Sequence, residues 1–529
     1  MGNISSNSMA AGVGAGVQNT VFMGEASVLS RKYLLIATQN PAYADCAPIG
    51  KPFLVTSPGD VAGRSGWGSM AHRLALAAFR GTKNSVPVYL LLQGEADTAQ
   101  AATGQIIINV EASHGEGILA LYVAGKPYKI PVLASDDHAT TAERIAIALG
   151  RDLSCPVTAT HGSGSVMLTA KSKGPWGNGI TIAVNQREAE DEALPPGYSC
   201  SIIAMGGGSG VPDLAEGLEK GLGSGDSANE NFYTDIAHGY GKDTQALNAL
   251  SKYVGEGNEF SGLYSRTVAR PFRSLVGDVS TGSAGLQALI DFTKTRKADR
   301  CNGICVKPGS LTHPQEIAAE LLGVAAAIAN DMAEGSYIDL VLSGVDPGIV
   351  ARESGQDWTT EYTNRDLAVK AGVSPLIVKG GAVYSTDVVS FYQTDDPDDP
   401  SNMYRRVRNI SVTQNVLYNL VKNFSSAKWK GFTVVKDKAN VTESRDQAKA
   451  RDADDVKDDD LALINSFMRK GWLYDTEYSI KKLKEPTAVQ VRTDGGGFNN
   501  NLSLIYSGEG GILDTVCYVD TSIAITKAA

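Results

Sequence analysis

The most site-like stretch of this sequence is a glycine cluster, Gly206-Gly207-Gly208-Ser209-Gly210, between an apolar run and a helical pattern. A glycine-rich loop that leads into a helix can hold a phosphate, because its backbone amides and the helix dipole face the anion. The cluster lacks the Lys-Ser/Thr pair of a P-loop, and no GxGxxG with a suitably placed acidic residue fits. The sequence therefore indicates a flexible interdomain connection here, and no nucleotide site.

Motifs for metal binding and nucleophilic catalysis are also incomplete. The six histidines contain no HExxH and no pair at i, i+4, and no GxSxG elbow occurs. Asp136-Asp137-His138 is the best cluster of metal-ligand types, but such a run is typical of a turn. The acidic stretch 454–460 lacks the spacing and glycine of an EF-hand. The six cysteines are scattered without CxxC spacing, which indicates buried reduced thiols.

The basic run Arg405-Arg406-Val407-Arg408 could contact a phosphate backbone, but no aromatic side chains alternate with its arginines and the chain is acidic overall. We therefore predict no direct contact with nucleic acid. Together with the incomplete motifs, this predicts a protein that is not an enzyme and has no catalytic residue, no cofactor and no metal site.

Composition places the chain among large globular proteins. At 529 residues it exceeds the size at which a single core stops growing, so we expect three or more domains. No apolar run reaches the roughly 18 residues of a spanning helix, and no signal peptide precedes the first apolar run. The sequence predicts a protein that folds in a cytosol without membrane insertion.

Charge is distributed unevenly along the chain. The net charge is -10, yet residues 404–484 carry 17 Lys and Arg against 11 Asp and Glu. A basic region on an acidic protein indicates either a partner with a negative surface or a solvated face without a partner.

The order of periodic segments predicts an α/β fold (α+β overall) interrupted by a β-rich module. The expected divisions are 1–26 as an arm, 27–103 as the first part of the body, 104–187 as the inserted β-rich domain, 200–362 as a β/α domain, 363–507 as a C-terminal domain and 508–529 as a linker and strand.

Helices and strands outside the inserted domain follow from periodicity and from end signals. Thr312 and Gln315 form a capping-box pattern around Pro314 at the start of one helix. Helices are predicted at 70–79, 212–221, 243–254, 284–297, 314–330, 363–371, 404–424 and 461–468. Strands are predicted at 28–38, 86–92, 233–237, 303–306, 338–342, 383–392, 488–492 and 502–505.

Both ends of the sequence have the character of adhesive arms. Residues 514–529 alternate apolar and polar side chains, as a half-buried strand does, and follow the glycine-punctuated connector 508–511, which should be flexible. Residues 1–26 are rich in Gly, Ser, Asn and Ala and lack apolar periodicity. Two such ends on a large body indicate a subunit that lends strands to its neighbours, which is typical of polymers.

Several short motifs, in order along the chain, resemble those of one protein family. They are Arg31-Lys-Tyr-Leu-Leu-Ile36, Gly66-Trp-Gly-Ser-Met70, Leu168-Thr-Ala-Lys171, Gly174-Pro-Trp-Gly-Asn178, Met205-Gly-Gly-Gly208, Leu342-Ser-Gly-Val345 and Ala371-Gly-Val373. Their succession over residues 30–525 resembles the contractile tail sheath family of bacteriophages and related phage-tail-like particles. The chain departs from that pattern at Phe498-Asn-Asn-Asn501 and in its Asp-rich stretch 452–460.

The resemblance implies a sheath subunit that forms a helical or stacked-ring homopolymer, with hexameric rings, around an inner tail tube. Contraction would drive the tube through the host envelope for genome ejection. Baseplate and tail terminator proteins are the further partners implied, and the protein would be a virion component assembled in the host cytoplasm.

Two groups of residues are candidates for roles in such a polymer. Intersubunit arms would use Val17, Val21, Phe22, Val516, Cys517, Val519, Ile523 and Ile525. Basic residues Arg469, Lys470, Lys481, Lys482 and Lys484 are candidates for facing an acidic tube.

Two alternatives remain open at this point. One is the sheath of a bacterial contractile injection particle that has no capsid, which the sequence does not separate from a phage tail. The other, of a different class, is a nucleotide-dependent α/β enzyme with a β-rich insert, against which the missing lysine of the glycine cluster argues.

Overall fold

The computed structural model describes residues 26–187, 191–223, 232–255, 270–348, 355–393, 404–511 and 513. The chain divides into two compact units. The body unit comprises residues 28–418 and 508–529, and the smaller unit comprises residues 1–27 and 419–507. This differs from the predicted division at residue 363, because residues 363–418 belong to the body unit.

The described strands and helices are numbered in chain order. The strands are β1 Tyr33–Thr38, β2 Phe53–Val55, β3 Val88–Gln93, β4 Ala101–Val110, β5 Gly117–Val123, β6 Lys126–Val132, β7 Val157–His161, β8 Ser165–Lys173, β9 Ile182–Val184, β10 Tyr198–Gly206, β11 Asp235–His238, β12 Arg273–Asp278, β13 Asn302–Val306, β14 Val341–Leu342, β15 Val373–Lys379, β16 Ala382–Ser385, β17 Thr433–Val434, β18 Ala450–Arg451, β19 Val489–Val491 and β20 Phe498–Asn500. The helices are α1 Pro58–Ser65, α2 Met70–Thr82, α3 His138–Arg151, α4 Leu214–Leu222, α5 Thr244–Val254, α6 Gly282–Lys294, α7 Pro314–Asp331, α8 Tyr362–Lys370, α9 Val407–Phe424, α10 Ser444–Gln447, α11 Ala453–Arg469 and α12 Thr476–Leu483.

The body unit is built on a nine-stranded sheet in the order β14-β16-β15-β13-β12-β11-β1-β3-β2. Strands β3, β1, β11, β12, β13 and β15 are parallel, and β2 and β16 add antiparallel pairs. Every residue of β1, β11, β12 and β13 is buried, as expected of parallel strands covered on both faces. The α/β prediction is confirmed.

The inserted module is larger than its predicted range of 104–187. Its four-stranded sheet has the order β10-β4-β8-β7, so β10 extends the module to Gly206 and β4 begins it at Ala101. A three-stranded sheet, β6-β5-β9, and helix α3 complete it. Strand β10 was not predicted, because as an edge strand it exposes most of its residues and shows no alternating pattern.

One apolar core runs through the body unit. The same buried cluster contains Leu35 of β1, Leu74 of α2, Ile106 of β4, Leu121 of β5 and Ile317 of α7. The inserted module and the main sheet therefore share a core inside this unit.

Helices α2 and α7 pack unusually closely because each has a glycine at the contact. A Cβ on Gly81 would lie 2.4 Å from the Glu320 carbonyl oxygen, and one on Gly323 would lie 3.1 Å from the Ala78 carbonyl oxygen. Helix α7 agrees with its predicted range to within one residue at its C-terminal end.

The smaller unit contains helices α10, α11 and α12 and two separate two-stranded sheets, β17-β18 and β19-β20. Trp429, Val456 and Val489 form its buried cluster, with Phe432 and Phe498 packed against them. The highly charged stretch 436–460 has few large apolar residues, which predicts an exposed loop or surface helix. Residues 453–460 do open a helix, α11, but exposure is wrong for Asp459 and Asp460, which are buried.

Other predicted helices and strands differ from the observed ones where the hydrophobic periodicity of the sequence is weak. The predicted helix 461–468 is the second half of α11, and the predicted strand 383–392 shortens to Ala382–Ser385. Residues 502–505 form no strand, whereas Phe498–Asn500 does. Strands β2, β12, β15, β17 and β18 and helix α1 were not predicted. Among the described residues, no helix combines the length and apolarity needed to cross a membrane.

The close approach of α2 and α7 yields a stability prediction. Gly81→Ala places a methyl group against backbone that has no room for it, and should lower the free energy of unfolding by about 1–3 kcal/mol. Gly63→Ala is the matched control, because Gly63 lies exposed in α1 with open space at its Cβ position. That control should be neutral or stabilise by roughly 0.5–1 kcal/mol. Denaturant unfolding measures both, and equal effects would contradict the packing described.

A buried carboxyl group in the smaller unit yields a pH prediction. Burial raises the pKa of Asp460 from 3.8 to about 7, and the neighbouring Asp459 carboxylate adds to the shift. Between these two pH values the folded state binds more protons than the unfolded state, so stability should fall as pH rises through this window. Asp460→Asn should remove that pH dependence and stabilise the protein at pH 8. Asp458→Asn, at an exposed position of the same helix, should leave the dependence unchanged in denaturant titrations.

Candidate functional site

The strand order of the main sheet reverses between β1 and β11. Strand β3 lies on one side of β1, whereas β11, β12, β13 and β15 follow on the other. Ligands of open α/β sheets bind beyond the carboxyl ends of the strands at such a switch point. Helix α2 begins there, and a Cβ on Gly239, just after β11, would lie 2.2 Å from the Met70 sulfur atom. A nucleotide-binding protein with this arrangement of strands would hold its ligand at this position.

Side chains of the protein itself accept hydrogen bonds from the backbone amides at the start of α2. The Ser172 hydroxyl, from β8 of the inserted module, accepts from the Met70 amide at 2.8 Å. Ser69 caps the helix by accepting from the His72 amide, and His72 Nδ1 accepts from the Gly68 amide at 3.0 Å. Burial lowers the pKa of His72 to about 4, which keeps the ring neutral as that acceptor. The switch point thus serves to dock the inserted module.

The glycine cluster 206–210 is also held by its neighbours. Asn178 donates to the Gly208 carbonyl oxygen at 2.8 Å, and the Gly208 amide donates back to the Asn178 oxygen at 2.8 Å. Ser209 pairs through its backbone with Gln100. The glycine at 210 is required by a φ of +88° and by the approach of Ala99. The interpretation of this cluster as a flexible connection is therefore wrong. Its backbone is hydrogen-bonded to Asn178, in the inserted module, and to Gln100, directly before the module.

A second contact between the module and the sheet lies at the start of α7. The His313 ring stacks on Trp176 with centroids 4.6 Å apart, and His313 Nε2 lies 2.9 Å from the Trp176 carbonyl oxygen. Burial lowers the pKa of His313 to about 3, so the ring is neutral at physiological pH. His313 also caps α7, which corrects the predicted capping box, because the Thr312 hydroxyl instead accepts from the Asp346 amide. Only the His-Pro start of the helix signalled this role in the sequence.

A cavity of about 300 Å³ lies beside this contact, lined in part by Trp176, Tyr240, Lys242 and His313. Its volume is at the lower limit of small-molecule sites. The Lys242 ammonium pairs with Asp278 at 2.6 Å, and His313 is engaged with Trp176. The polar groups of the cavity therefore serve the fold.

A buried ion pair joins α2 to α7 next to the same junction. The Arg73 guanidinium contacts both carboxylate oxygens of Glu316, at 2.7 and 2.8 Å. Arg73 also donates to the Ala124 carbonyl oxygen in the inserted module. Burial disfavours the Arg73 cation, but the Glu316 carboxylate beside it raises the pKa of Arg73 overall.

The motifs singled out as metal candidates have structural roles. Asp137 caps α3 by accepting from the Thr140 amide at 2.7 Å, and Asp136 accepts from the Leu133 amide and pairs with Arg144. Within the described ranges, no three His, Cys, Asp or Glu side chains are arranged to hold a metal ion. The cysteines at 46, 155, 200, 301 and 305 are free thiols.

The five candidate tube-facing residues lie at the C-terminal ends of two helices of the smaller unit. Arg469 and Lys470 end α11, and Lys481, Lys482 and Lys484 end α12, which packs against α11. Arg469, Lys481 and Lys484 are exposed, whereas Lys482 pairs with Glu485 at 2.9 Å. Cations are favoured at helix C-termini, so these positions suit the helix dipole in any case.

The candidate arm residues lie outside the described residues. They are Val17, Val21, Phe22, Val516, Cys517, Val519, Ile523 and Ile525. The connector 508–511, which precedes the second group, is described and is anchored. Glu509 is 2% exposed at its side chain and accepts from the Tyr337 amide and the Ser336 hydroxyl. Its predicted flexibility is wrong at this residue.

Comparison with known proteins gives a sequence relative and two loosely similar structures. No protein-family model matches the chain. The chain is 28% identical over 172 residues to the Mu-like prophage FluMu tail sheath protein of Haemophilus influenzae, a stretch that is 32% of this chain. It spans about a third of that relative's length, 33%.

The two solved structures are sheath tail proteins. That of Desulfitobacterium hafniense aligns with a TM-score of 0.40 and 12% identity, covering 94% of this chain and 99% of its own. That of Listeria innocua aligns with a TM-score of 0.38 and 11% identity, covering 92% and 94%. Over the stretch that it matches, the FluMu relative bears out the resemblance of this chain to phage tail sheath proteins.

Proposed function

We propose that this chain is the structural subunit of a contractile phage tail sheath. It would polymerise around the inner tail tube and contract to drive the tube through the host envelope for genome ejection. The match to the FluMu tail sheath protein carries the proposal. In this role the protein is a virion component assembled in the host cytoplasm, and it acts without catalysis or membrane insertion.

The body unit supports a mechanical role. Ser172 and His72 satisfy amides at the sheet edge where a nucleotide would bind, so the energy for movement would have to come from elsewhere. A polymer assembled in a kinetically trapped packing can supply it, because relaxation to larger interfaces releases free energy without nucleotide. The shared core gives such a polymer a stiff building block.

The principal partner is a second copy of this chain, in a helical or stacked-ring homopolymer with hexameric rings. The inner tail tube, the baseplate and the tail terminator protein complete the assembly.

The smaller unit offers places for arms from neighbouring copies. Among the residues that the structure describes, its two sheets have two strands each, so every strand of β17-β18 and β19-β20 has an outer edge. Isolated two-stranded sheets are marginal in water and are stabilised by further strands. Residues before Phe22 and residues 515–526, with their alternating pattern, are the strands that we propose to add there.

The assembly prediction tests function and arms together. Purified full-length chain should form hollow cylinders in negative-stain images. Deletion of residues 1–20 or of residues 514–529 should leave a folded, soluble protein that forms none. Val519→Asp with Ile523→Asp should mimic the second deletion, because a strand that carries charge on its apolar face is costly to bury.

Ser522→Asp is the matched control, since it adds a charge on the opposite face of the predicted strand. It should leave cylinders intact. Absence of cylinders from the full-length chain would refute the sheath function, whereas cylinders from the truncated chains would refute the arms alone.

We propose further that the basic helix ends of the smaller unit face the tube. A sheath must slide along its tube, which favours a salt-sensitive charge contact over a buried apolar one. The exposed members of the basic set, Arg469, Lys481 and Lys484, carry this role.

Charge reversal tests the tube contact. Arg469→Glu, Lys481→Glu and Lys484→Glu together should abolish co-sedimentation with an acidic tube at low salt, because attraction becomes repulsion. Reversal of three exposed lysines of the body unit, Lys51, Lys129 and Lys252, changes net charge equally and should have little effect. Undiminished binding by the first variant would assign the tube contact to another surface.

A further inference from the structure

The two terminal segments, before residue 26 and after residue 511, each join a stretch of chain that polar contacts hold in place. On the N-terminal side, the Leu29 amide donates to the Asn415 side-chain oxygen of α9 at 2.7 Å. Two residues further, the buried Arg31 guanidinium donates to the side chains of Ser411 and Gln414 on the same helix. Two residues of extended chain advance about as far as one turn of helix, so this spacing keeps the segment beside α9.

The same pattern is present in the smaller unit. There the Ser27 amide donates to the Asn419 side-chain oxygen, and the Asn419 amide group donates back to the Ser27 carbonyl oxygen, both at 2.8 Å. Asn419 stands four residues after Asn415, on the same face of α9. A side-chain amide that bonds both backbone groups of one residue imitates a strand neighbour.

On the C-terminal side, the anchor is a single carboxylate. Glu509 accepts from the Tyr337 amide at 2.5 Å and from the Ser336 hydroxyl at 2.9 Å, and it pairs with Arg406 at 3.3 Å. Arg406 directly precedes α9 and also pairs with Asp387 at 2.9 Å. A buried carboxylate is stable only with such donors, so the contact is specific for glutamate or a close isostere.

We propose that α9 and Arg406 before it hold the bases of both terminal segments, with Asn415 and Glu509 as the positioning residues. The segments would then reach a second copy of the chain from fixed points, the C-terminal segment from the body unit and the N-terminal segment from Ser27 in the smaller unit. This rests on the proposed function as far as the second copy is concerned; the anchors themselves do not depend on it.

The anchors also determine at which residues a pulling force on the terminal segments is transmitted to the rest of the protein. The chain passes from α9 through the smaller unit and returns to the body unit at Gly508. Glu509, the next residue, is held by three partners in the body unit. Tension on the residues beyond Gly511 therefore enters the body unit at Arg406, Ser336 and Tyr337. Tension on the N-terminal segment enters first at Asn419, which holds Ser27 in the smaller unit, and then at Asn415, which holds Leu29 in the body unit.

Hydrogen exchange on the purified full-length chain, read by mass spectrometry, tests the anchors. Glu509→Ala should speed exchange in peptides covering 336–338 and 507–511 by about tenfold, the factor expected for losing one or two hydrogen bonds that restrain local opening. Asn415→Ala should do the same for peptides covering 27–32. Peptides from β12 and β13 should be unchanged in both, which shows that the variants are folded.

A conservative variant separates positioning from general stability. Glu509→Gln keeps an acceptor for the Tyr337 amide, so it should restore most of the protection at that anchor. Asn415→Asp should not do so, because the buried Asn415 amide group also donates to the Ser411 carbonyl oxygen and a carboxylate has no donor to replace it. Glu477→Ala, at an exposed glutamate of α12, is the control and should change neither set of peptides.

Unchanged exchange in Glu509→Ala and Asn415→Ala would overturn the proposal, as would a global increase in Glu509→Ala that Glu509→Gln fails to reverse. Absence of cylinders from the wild-type chain would overturn the sheath function and leave this inference to be decided by the exchange rates.

Discussion

The contact between α2 and α7 is the constraint on which the body unit depends. Gly81 and Gly323 let the two backbones approach until side chains have no room between them. The Arg73–Glu316 pair then lies buried at the same interface, and removing one partner of such a pair typically costs about 3–5 kcal/mol, because the other charge stays unpaired. Both helices begin where the inserted module docks, through Ser172 on α2 and His313 on α7. Their spacing therefore sets the position of the module.

Sequence patterns predicted the elements whose burial is periodic and whose ends carry signals. Helix α7 is such a case, with Pro314 in its first turn and an apolar stripe along it. Strand β12 was missed because its first residue, the charged Arg273, looks like a surface residue, yet it forms a fully buried ion pair with Asp235 of the neighbouring β11. That pairing depends on tertiary structure, which local pattern does not contain.

The two errors at glycine-rich segments have one physical cause. Glycines at 206–210 and at 508–511 indicated freedom, because glycine permits many backbone conformations. In the structure their neighbours restrict them: Asn178 holds Gly208, and Tyr337 with Ser336 holds Glu509. Partners at such separations in sequence are not visible in composition. The absence of a complete catalytic motif, by contrast, was readable directly, since each chemistry needs fixed residue types at fixed spacing.

The docked module has a practical meaning for measuring movement. Trp176 and His313 stack at one junction and Ser172 caps α2 at another, so the module cannot turn against the sheet without breaking buried contacts. The turn between β7 and β8, at Gly162-Ser163-Gly164, lies at the opposite end of β8 from the junction residue Ser172. A fluorophore attached there would follow the orientation of the whole nine-stranded sheet. A change in the orientation of a label on the inserted module therefore measures the rotation of the whole body unit.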